Sequence, residues 1–160
     1  MRNILITYIV LMVICTVSTQ HVLADESEHA TRAEIIEMCK KAEQLVLTNK
    51  EAGISEIANI DGQFVWKDTY VFLMDFDGIM LAHPAIPQLM EKGPLLDLID
   101  KNKEEPKKII VEFIQIAKNN GEGWIWYKWT LPNSREVADK FTYIRRVGFT
   151  DMFVGAGIYH

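Results

Sequence analysis

The sequence has little cysteine, no long block of like charge and no apolar run of the length that a membrane-spanning helix needs. Two cysteines occur in 160 residues, and one of them, Cys15, lies in the apolar N-terminal run. If that run is removed, Cys39 is the single remaining thiol and an internal disulfide is excluded. Acidic side chains exceed basic ones by five, and the two signs are interspersed. This charge pattern argues against nucleic acid as a partner.

Motifs of common cofactor and catalytic sites are also missing. The sequence has no Cys-x-x-Cys-His motif for attached haem and no glycine-rich phosphate loop. Asp75, Asp77 and Gly78 resemble the start of a calcium loop, but apolar residues 80–82 follow where an EF-hand needs further ligands, so we interpret the segment as a turn. His83 could pair with either aspartate, yet no nucleophile or metal cluster accompanies it. We therefore predict binding without catalysis, cofactor or metal.

The N-terminus has the pattern of a cleaved signal peptide. Arg2 precedes an apolar run from Ile4 to Val17, about 14 residues long, whereas a membrane anchor, the alternative, needs roughly 20. Small residues suited to signal peptidase lead up to Ala24. We expect residues 1–24 to be removed and residues 25–160 to form one exported domain with no stable membrane span, whose net charge without Arg2 is −6.

The first part of that domain has helical periodicity. From Asp25 to about Asn49 the pattern predicts one long amphipathic helix, with acidic residues in its first turn. Its expected buried stripe is Ile35, Cys39, Ala42 and Val46. Cys39 lies on this stripe, so we interpret it as a small buried hydrophobe and not as a reactive thiol. A second, shorter helical stretch is expected near Ile54 to Ile60.

The periodicity then changes to that of strands. Tyr70, Phe72 and Met74 alternate with Val71 and Leu73, and a turn at 75–78 returns the chain into a strand over 79–83, which predicts a β-hairpin. The first three side chains are expected to form a cavity floor or the core beneath it. Three prolines interrupt residues 84–103, which predicts a lid-like irregular crossing with one helical turn near 95–99.

A helix and three strands complete the pattern. Pro106 suits the first turn of a helix over 107–119, whose expected buried stripe is Ile109, Ile110, Phe113, Ile114 and Ala117. Residues 123–129, 140–147 and 152–159 are predicted to form an antiparallel meander. The predicted fold is α+β, with a long N-terminal helix packed on a five-stranded antiparallel sheet and a lid-like helical crossing.

Several segments, in this order and at these separations, resemble a single Cache domain. They are Phe64–Phe72, Asp77–Pro84, Gly123–Trp124, Tyr127–Trp129, Pro132, Lys140, Tyr143 and Val154–Tyr159. The resemblance implies a PAS-like sheet behind a long N-terminal helix, with a cavity on the other sheet face that senses small extracytoplasmic ligands, often short carboxylates or amino acids. Because the sequence ends directly after the last strand, at His160, we expect a free-standing periplasmic form that signals to a membrane sensor or receptor.

The family's ligand-contacting positions fall on a small set of polar and aromatic residues. We predict ligand binding by His83, Tyr127, Trp129, Lys140 and Tyr143, and add Tyr70 from the hairpin. Lysine suits a carboxylate, tyrosine hydroxyls add directional hydrogen bonds and tryptophan stacks on the ligand body. Leu131 stands where the family often has an asparagine, which removes an amide from the expected ligand contacts.

Each of these assignments has a structural alternative. Lys140 could be a solvated strand-edge lysine, His83 could only stabilise its turn, and the face shared by Tyr127 and Trp129 could be core. Tyr143 lies three residues after Lys140, so in a regular strand the two side chains point to opposite faces. They cannot both enter one cavity unless a bulge intervenes.

Three functions remain open at this point. The predicted one is a sensory module that binds a small organic anion and signals through a partner. The alternatives are a protein-interaction module whose cavity is filled by its own side chains, and a small periplasmic enzyme.

Overall fold

A computed structural model describes residues 28–131 and 134–160. The expected signal peptide, with its cleavage after Ala24, lies outside the described residues, as do residues 25–27 of the predicted helix and Pro132 of the resemblance. Among the described helices, none combines the length and the apolar character that crossing a bilayer would require.

The described chain forms three α-helices, a short 3₁₀-helix and six strands. The helices are α1 (Arg32–Thr48), α2 (Lys50–Ala58) and α3 (Ile109–Asn120), with the 3₁₀-helix at Pro87–Glu91. The strands are β1 (Val65–Trp66), β2 (Thr69–Asp75), β3 (Met80–Ala82), β4 (Glu122–Thr130), β5 (Val137–Arg146) and β6 (Met152–Tyr159).

All strand pairs are antiparallel, in the order β1-β2-β6-β5-β4, and β3 pairs with β2. The predicted α+β fold, the hairpin and the final meander are confirmed. The two-residue strand β1 adds a sixth strand to the five predicted. The sheet order brings β2, from the first half of the chain, next to β6 at its end.

Helix α1 begins later than predicted, at Arg32 instead of Asp25. The Thr31 hydroxyl accepts a hydrogen bond from the Glu34 N–H at 3.2 Å, and the Glu34 carboxylate accepts one from the Thr31 N–H at 2.7 Å. This reciprocal capping box satisfies two backbone donors at the helix start. Its Thr-x-x-Glu pattern is readable in the sequence, and the prediction was wrong to include the described residues 28–31 in the helix.

The other helices also begin at different residues from those predicted. Helix α2 begins at Lys50 because the Asn49 side chain caps the Ala52 N–H at 3.1 Å. At the predicted helical turn near 95–99 the chain forms a single turn, closed by a hydrogen bond from the Leu98 N–H to the Leu95 carbonyl at 2.9 Å. A 3₁₀-helix that was not predicted forms at Pro87–Glu91, with proline at its start. Helix α3 begins two residues later than predicted because the backbone at 107–109 pairs with residues 98–100.

The sheet separates two hydrophobic clusters. The predicted stripe of α1 is buried against one face, and the thiol of Cys39 within it has a pKa raised by burial. The predicted stripe of α3 is buried against the other face, where it contacts alternate residues of β2, β4, β5 and β6. Both stripe predictions are confirmed, and the candidate site lies on the α3 side.

Candidate functional site

A cavity of about 60 Å³ lies between the sheet and the elements that cover its α3 side. Strands β2, β4 and β5 form its floor, and α3 with the 83–98 segment forms its roof. Its lining residues are Tyr70, Phe72, Met74, Met80, His83, Ile86, Leu89, Leu98, Ile109, Ile110, Phe113, Tyr127, Trp129 and Lys140. About 10–15 Å³ of such space holds one water molecule, so the cavity suits a ligand of a few heavy atoms.

Five of the six predicted site residues line this one cavity: Tyr70, His83, Tyr127, Trp129 and Lys140. The sheet register explains much of this, because Tyr127 lies opposite Lys140 on the neighbouring strand. Directly opposed residues of antiparallel strands present their side chains on the same face.

Tyr143 does not reach the cavity. Strand β5 keeps a regular register with both neighbours, so no bulge reverses its alternation and Tyr143 lies on the α1 face. Its hydroxyl donates to the Glu122 carboxylate at 2.8 Å, and its ring contacts Trp124 at a centroid distance of 5.1 Å. The tyrosine therefore belongs to the packing beneath α1, and the prediction that it joins the other five is corrected.

Lys140 is a buried cation without a protein counter-charge among the described residues. The residue is 6% exposed, and its ammonium makes no ion pair or hydrogen bond to any part of the chain that the structure describes. Nζ lies 4.7 Å from the ring centroid of Tyr159 and 5.5 Å from that of Tyr70, which gives it cation–π contacts. Burial lowers the pKa of Lys140 to about 8, so the side chain is largely protonated at neutral pH.

His83 contributes a second polar group. Its Nδ1 accepts a hydrogen bond from the Ile86 N–H at 2.9 Å. In the neutral ring the proton is therefore on Nε2, which is left as a donor. Burial first, and then the charge of Lys140, lower the pKa of His83 to about 4, so the ring is neutral at physiological pH.

Tyrosine hydroxyls supply further hydrogen-bonding groups. The hydroxyl of Tyr127 lies 3.1 Å from Oγ1 of Thr142, a residue with no exposed surface. Burial raises the pKa of Tyr127, and it raises the pKa of Tyr70 to about 12, so both hydroxyls stay protonated. Tyr70 also contacts the His83 ring at a centroid distance of 4.8 Å.

Sequence reasoning missed the roof of the cavity and also Thr142, which does not line the cavity but lies within hydrogen-bonding distance of Tyr127. Thr142 lies two residues after Lys140 and so on the same strand face, and this spacing could have identified it. Ile109, Ile110 and Phe113 were predicted to be buried, but periodicity does not reveal that they cover a cavity. Ile86 lies in the irregular segment, where no periodic signal exists.

The arrangement is suited to binding a small anion. One ammonium, one imidazole N–H and tyrosine hydroxyls face an otherwise apolar lining, which is the usual composition of a small-molecule site. The lining contains no carboxylate. Within the described residues, no group of three histidine, cysteine or acidic side chains is arranged to hold a metal ion.

The fold and the cavity together define a PAS-like sensory domain. Residues 57–160 match the family model of the Cache domain, and the chain belongs to the Cache domain family. The resemblance seen in the sequence is thereby confirmed. Cache domains are extracytoplasmic ligand-sensing domains of chemoreceptors and histidine kinases, and they are receptor domains rather than enzymes.

Two relatives of established type match part of the chain. The sensor histidine kinase MctS of Rhizobium johnstonii is 36% identical over 94 residues, which cover 58% of this chain and 19% of the kinase. The methyl-accepting chemotaxis protein McpP of Pseudomonas putida is 26% identical over 92 residues, covering 58% of this chain and 16% of that protein. The matches thus span about a fifth or less of each relative's length.

Solved structures agree with the fold. A methyl-accepting chemotaxis protein from Vibrio parahaemolyticus has a TM-score of 0.63 at 24% identity, covering 79% of this chain and 86% of that one. A Cache chemosensory domain whose structure concerns carboxylic acid recognition has a TM-score of 0.61 at 19% identity, covering 77% of this chain and 84% of that one.

Proposed function

We propose that this chain is an exported sensory domain that binds a short monocarboxylate in the cavity at Lys140 and signals the bound state to a membrane sensor or receptor. The observation that carries the proposal is the buried ammonium of Lys140, which has no counter-charge among the described residues. Burying an unpaired charge is costly, and a bound anion would supply the missing partner.

The cavity's size and lining narrow the ligand class. A volume of about 60 Å³ suits a ligand of a few heavy atoms, such as acetate or propionate. Lys140 would pair with the carboxylate, while the Nε2–H of His83 and a tyrosine hydroxyl would donate to its oxygens. Phe72, Phe113 and Trp129 would surround the apolar end.

An amino acid is the less suitable ligand. Its ammonium group would enter a cavity whose lining carries a lysine and no carboxylate, so the ammonium would have no acidic partner there. Recognition of carboxylic acids by a solved Cache chemosensory domain agrees with the preferred class.

Export and signalling complete the proposal. The expected signal peptide, cleaved after Ala24, would deliver the domain outside the cytoplasm, where Cache domains operate. An intact mass that begins at Asp25 would support this step, and an uncleaved N-terminus in the exported protein would contradict it. Ligand binding would signal by favouring one of two conformers that differ in affinity for the partner.

A thermal-shift titration tests the ligand. We expect acetate or propionate to raise the melting temperature with increasing concentration, and Lys140→Met to abolish the rise because it keeps the stem and removes the charge. Lys128→Met is the matched control, since its ammonium pairs with Asp139 on the surface. An equal rise in the Lys140→Met protein would disprove the proposed site. A shift seen only with a protein partner would favour an interaction module with a self-filled cavity.

A further inference from the structure

The inner cavity is separated from a larger outer groove by three side chains that line both. These shared residues are Tyr70, Ile86 and Trp129. The groove has a volume of about 550 Å³, against about 60 Å³ for the cavity. Its other lining residues are Ile60, Ala85, Lys101, Thr130, Leu131 and Tyr159. A ligand too long for the cavity would therefore have a mostly apolar space to enter, if the dividing wall opened.

Two of the three shared residues are held by the sheet. Tyr70 lies on β2, where it contacts the ring of His83 at 4.8 Å. Trp129 lies on β4, with its ring in an edge contact with Tyr127 at 6.0 Å and beneath the Lys101 ammonium at 5.5 Å. Movement of either ring would disturb a paired strand and several ring contacts.

Ile86 is held differently, because it lies in the irregular segment between β3 and the 3₁₀-helix. Two hydrogen bonds hold its backbone, one from its N–H to the His83 side chain at Nδ1 at 2.9 Å and one from the Leu89 N–H to its carbonyl at 3.1 Å. The residue is 39% exposed, so part of it faces solvent although it also lines the cavity. Truncating this side chain would join cavity and groove with little loss of core packing.

We propose that Ile86 determines ligand length: its side chain closes the inner cavity behind the bound carboxylate's tail and excludes chains that would have to cross into the groove. This inference rests on the proposed function, because it requires the carboxylate to be anchored at Lys140. With the carboxylate there, a tail that runs along the apolar lining toward Ile86 would meet the dividing wall. A ligand of two or three carbons stops inside the cavity, and a longer one meets Ile86.

The experiment is a calorimetric titration of the purified protein with straight-chain carboxylates from acetate to hexanoate. The wild type is expected to bind acetate or propionate best and to lose affinity as the chain lengthens. In Ile86→Ala the preference should move toward pentanoate and hexanoate, since each methylene buried in the opened groove contributes about fourfold in affinity. The hexanoate-to-acetate affinity ratio should therefore rise by about tenfold or more.

Two further variants make the result specific. Ile86→Val should give a smaller change in the same direction, because it removes one methyl group. Ile99→Ala is the matched control, since Ile99 is 46% exposed and lines neither the cavity nor the groove. Its affinity ratio should equal that of the wild type.

The outcomes separate this inference from the function on which it rests. If the wild type binds short carboxylates and the ratio is unchanged in both Ile86 variants, the length-determining role is wrong and the binding function stands. If the wild type binds no carboxylate of any length, both are overturned. A graded change across valine and alanine, absent in Ile99→Ala, supports the inference.

Discussion

The side chain of Lys140 crosses β6 directly over Gly157, where an added Cβ atom would lie 2.8 Å from Lys140 Cε. Thr142 also packs over this glycine. Because β6 lies between β5 and β2 in the sheet, the missing side chain at Gly157 lets the lysine stem lie across β6 and bring its ammonium to the Tyr70 ring on β2. The position of the candidate anion-binding cation therefore depends on a glycine of the neighbouring strand.

Gly157→Ala should displace Lys140 and Thr142 and abolish the stabilisation by short carboxylates. Overpacking of this kind should also lower the free energy of unfolding by about 1–3 kcal/mol. Urea denaturation with and without propionate measures both effects. Gly123→Ala is the control for carboxylate binding, because its Cβ would meet only the γ2 methyl of Ile116, which does not line the cavity. Propionate stabilisation that survives in Gly157→Ala would contradict the proposed role of this glycine.

Carboxylate affinity should decrease as pH rises above about 8. Burial lowers the pKa of Lys140 to about 8, and an anion binds the protonated form. Binding then requires proton uptake at higher pH, which costs about tenfold in affinity for each further pH unit until the pKa of the complex is reached. Calorimetry between pH 7 and 10 measures this slope. A pH-independent affinity over that range would show that Lys140 does not bind the ligand as a cation.

His83 should make the ligand-free protein less stable in mild acid. Its folded pKa is lowered from 6.5 to about 4, so between these values the unfolded chain binds a proton that the folded protein does not. The free energy of unfolding should therefore fall as pH decreases from 6.5 to 4, by an amount on the order of 3 kcal/mol from this group.

Comparing denaturation of the wild type and His83→Gln at pH 7 and pH 5 isolates this contribution, since other titrating groups are common to both proteins. The wild type should lose more stability than the variant. His160→Gln, at an exposed histidine beside Trp126, should behave like the wild type. Equal losses in the wild type and His83→Gln would disprove the assignment.

Helix α1 should depend on the buried carboxylate of Glu43. The residue is 6% exposed, and its carboxylate pairs with the Arg145 guanidinium and accepts the Gly148 N–H at 3.1 Å, which ties α1 to the end of β5. Glu43→Ala should cost about 1–3 kcal/mol in the free energy of unfolding, because the Gly148 N–H and the Arg145 Nε–H lose their acceptor. The Arg145 guanidinium keeps its pair with Glu122, so its charge is not left without a partner.

The matched control for this change is Glu37→Ala, at an exposed glutamate of the same helix that lies 4.0 Å from the ammonium of Lys41. An exposed pair of this kind contributes less than about 1 kcal/mol. If the two variants lose the same stability by chemical denaturation, the Glu43 pair does not anchor the helix.

Local periodicity was enough to predict most elements of this fold. The stripes of α1 and α3 were readable because residues three and four apart share a helix face, and the alternation in β2 was readable because a strand repeats every two residues. Boundaries depended on individual hydrogen bonds. The capping box at Thr31 sets the start of α1, although the helical pattern begins before it. Pairing of residues 98–100 with 107–109 places the start of α3 later than predicted.

The residue types of the site, and the strand face that each shares with its neighbours, follow from the amino-acid sequence alone, as does the conflict between Lys140 and Tyr143 within one strand. Which face carries the cavity does not follow from the sequence pattern, because it depends on the packing of α3 on one side of the sheet and α1 on the other. Three features of the site depend on segments that are distant in sequence. They are the short distance from Lys140 to Tyr70, the lack of a counter-charge near Lys140 among the described residues, and the wall formed by Ile86. Alternation fixes the side of a strand that a residue occupies, but the strand order and the covering elements select its neighbours.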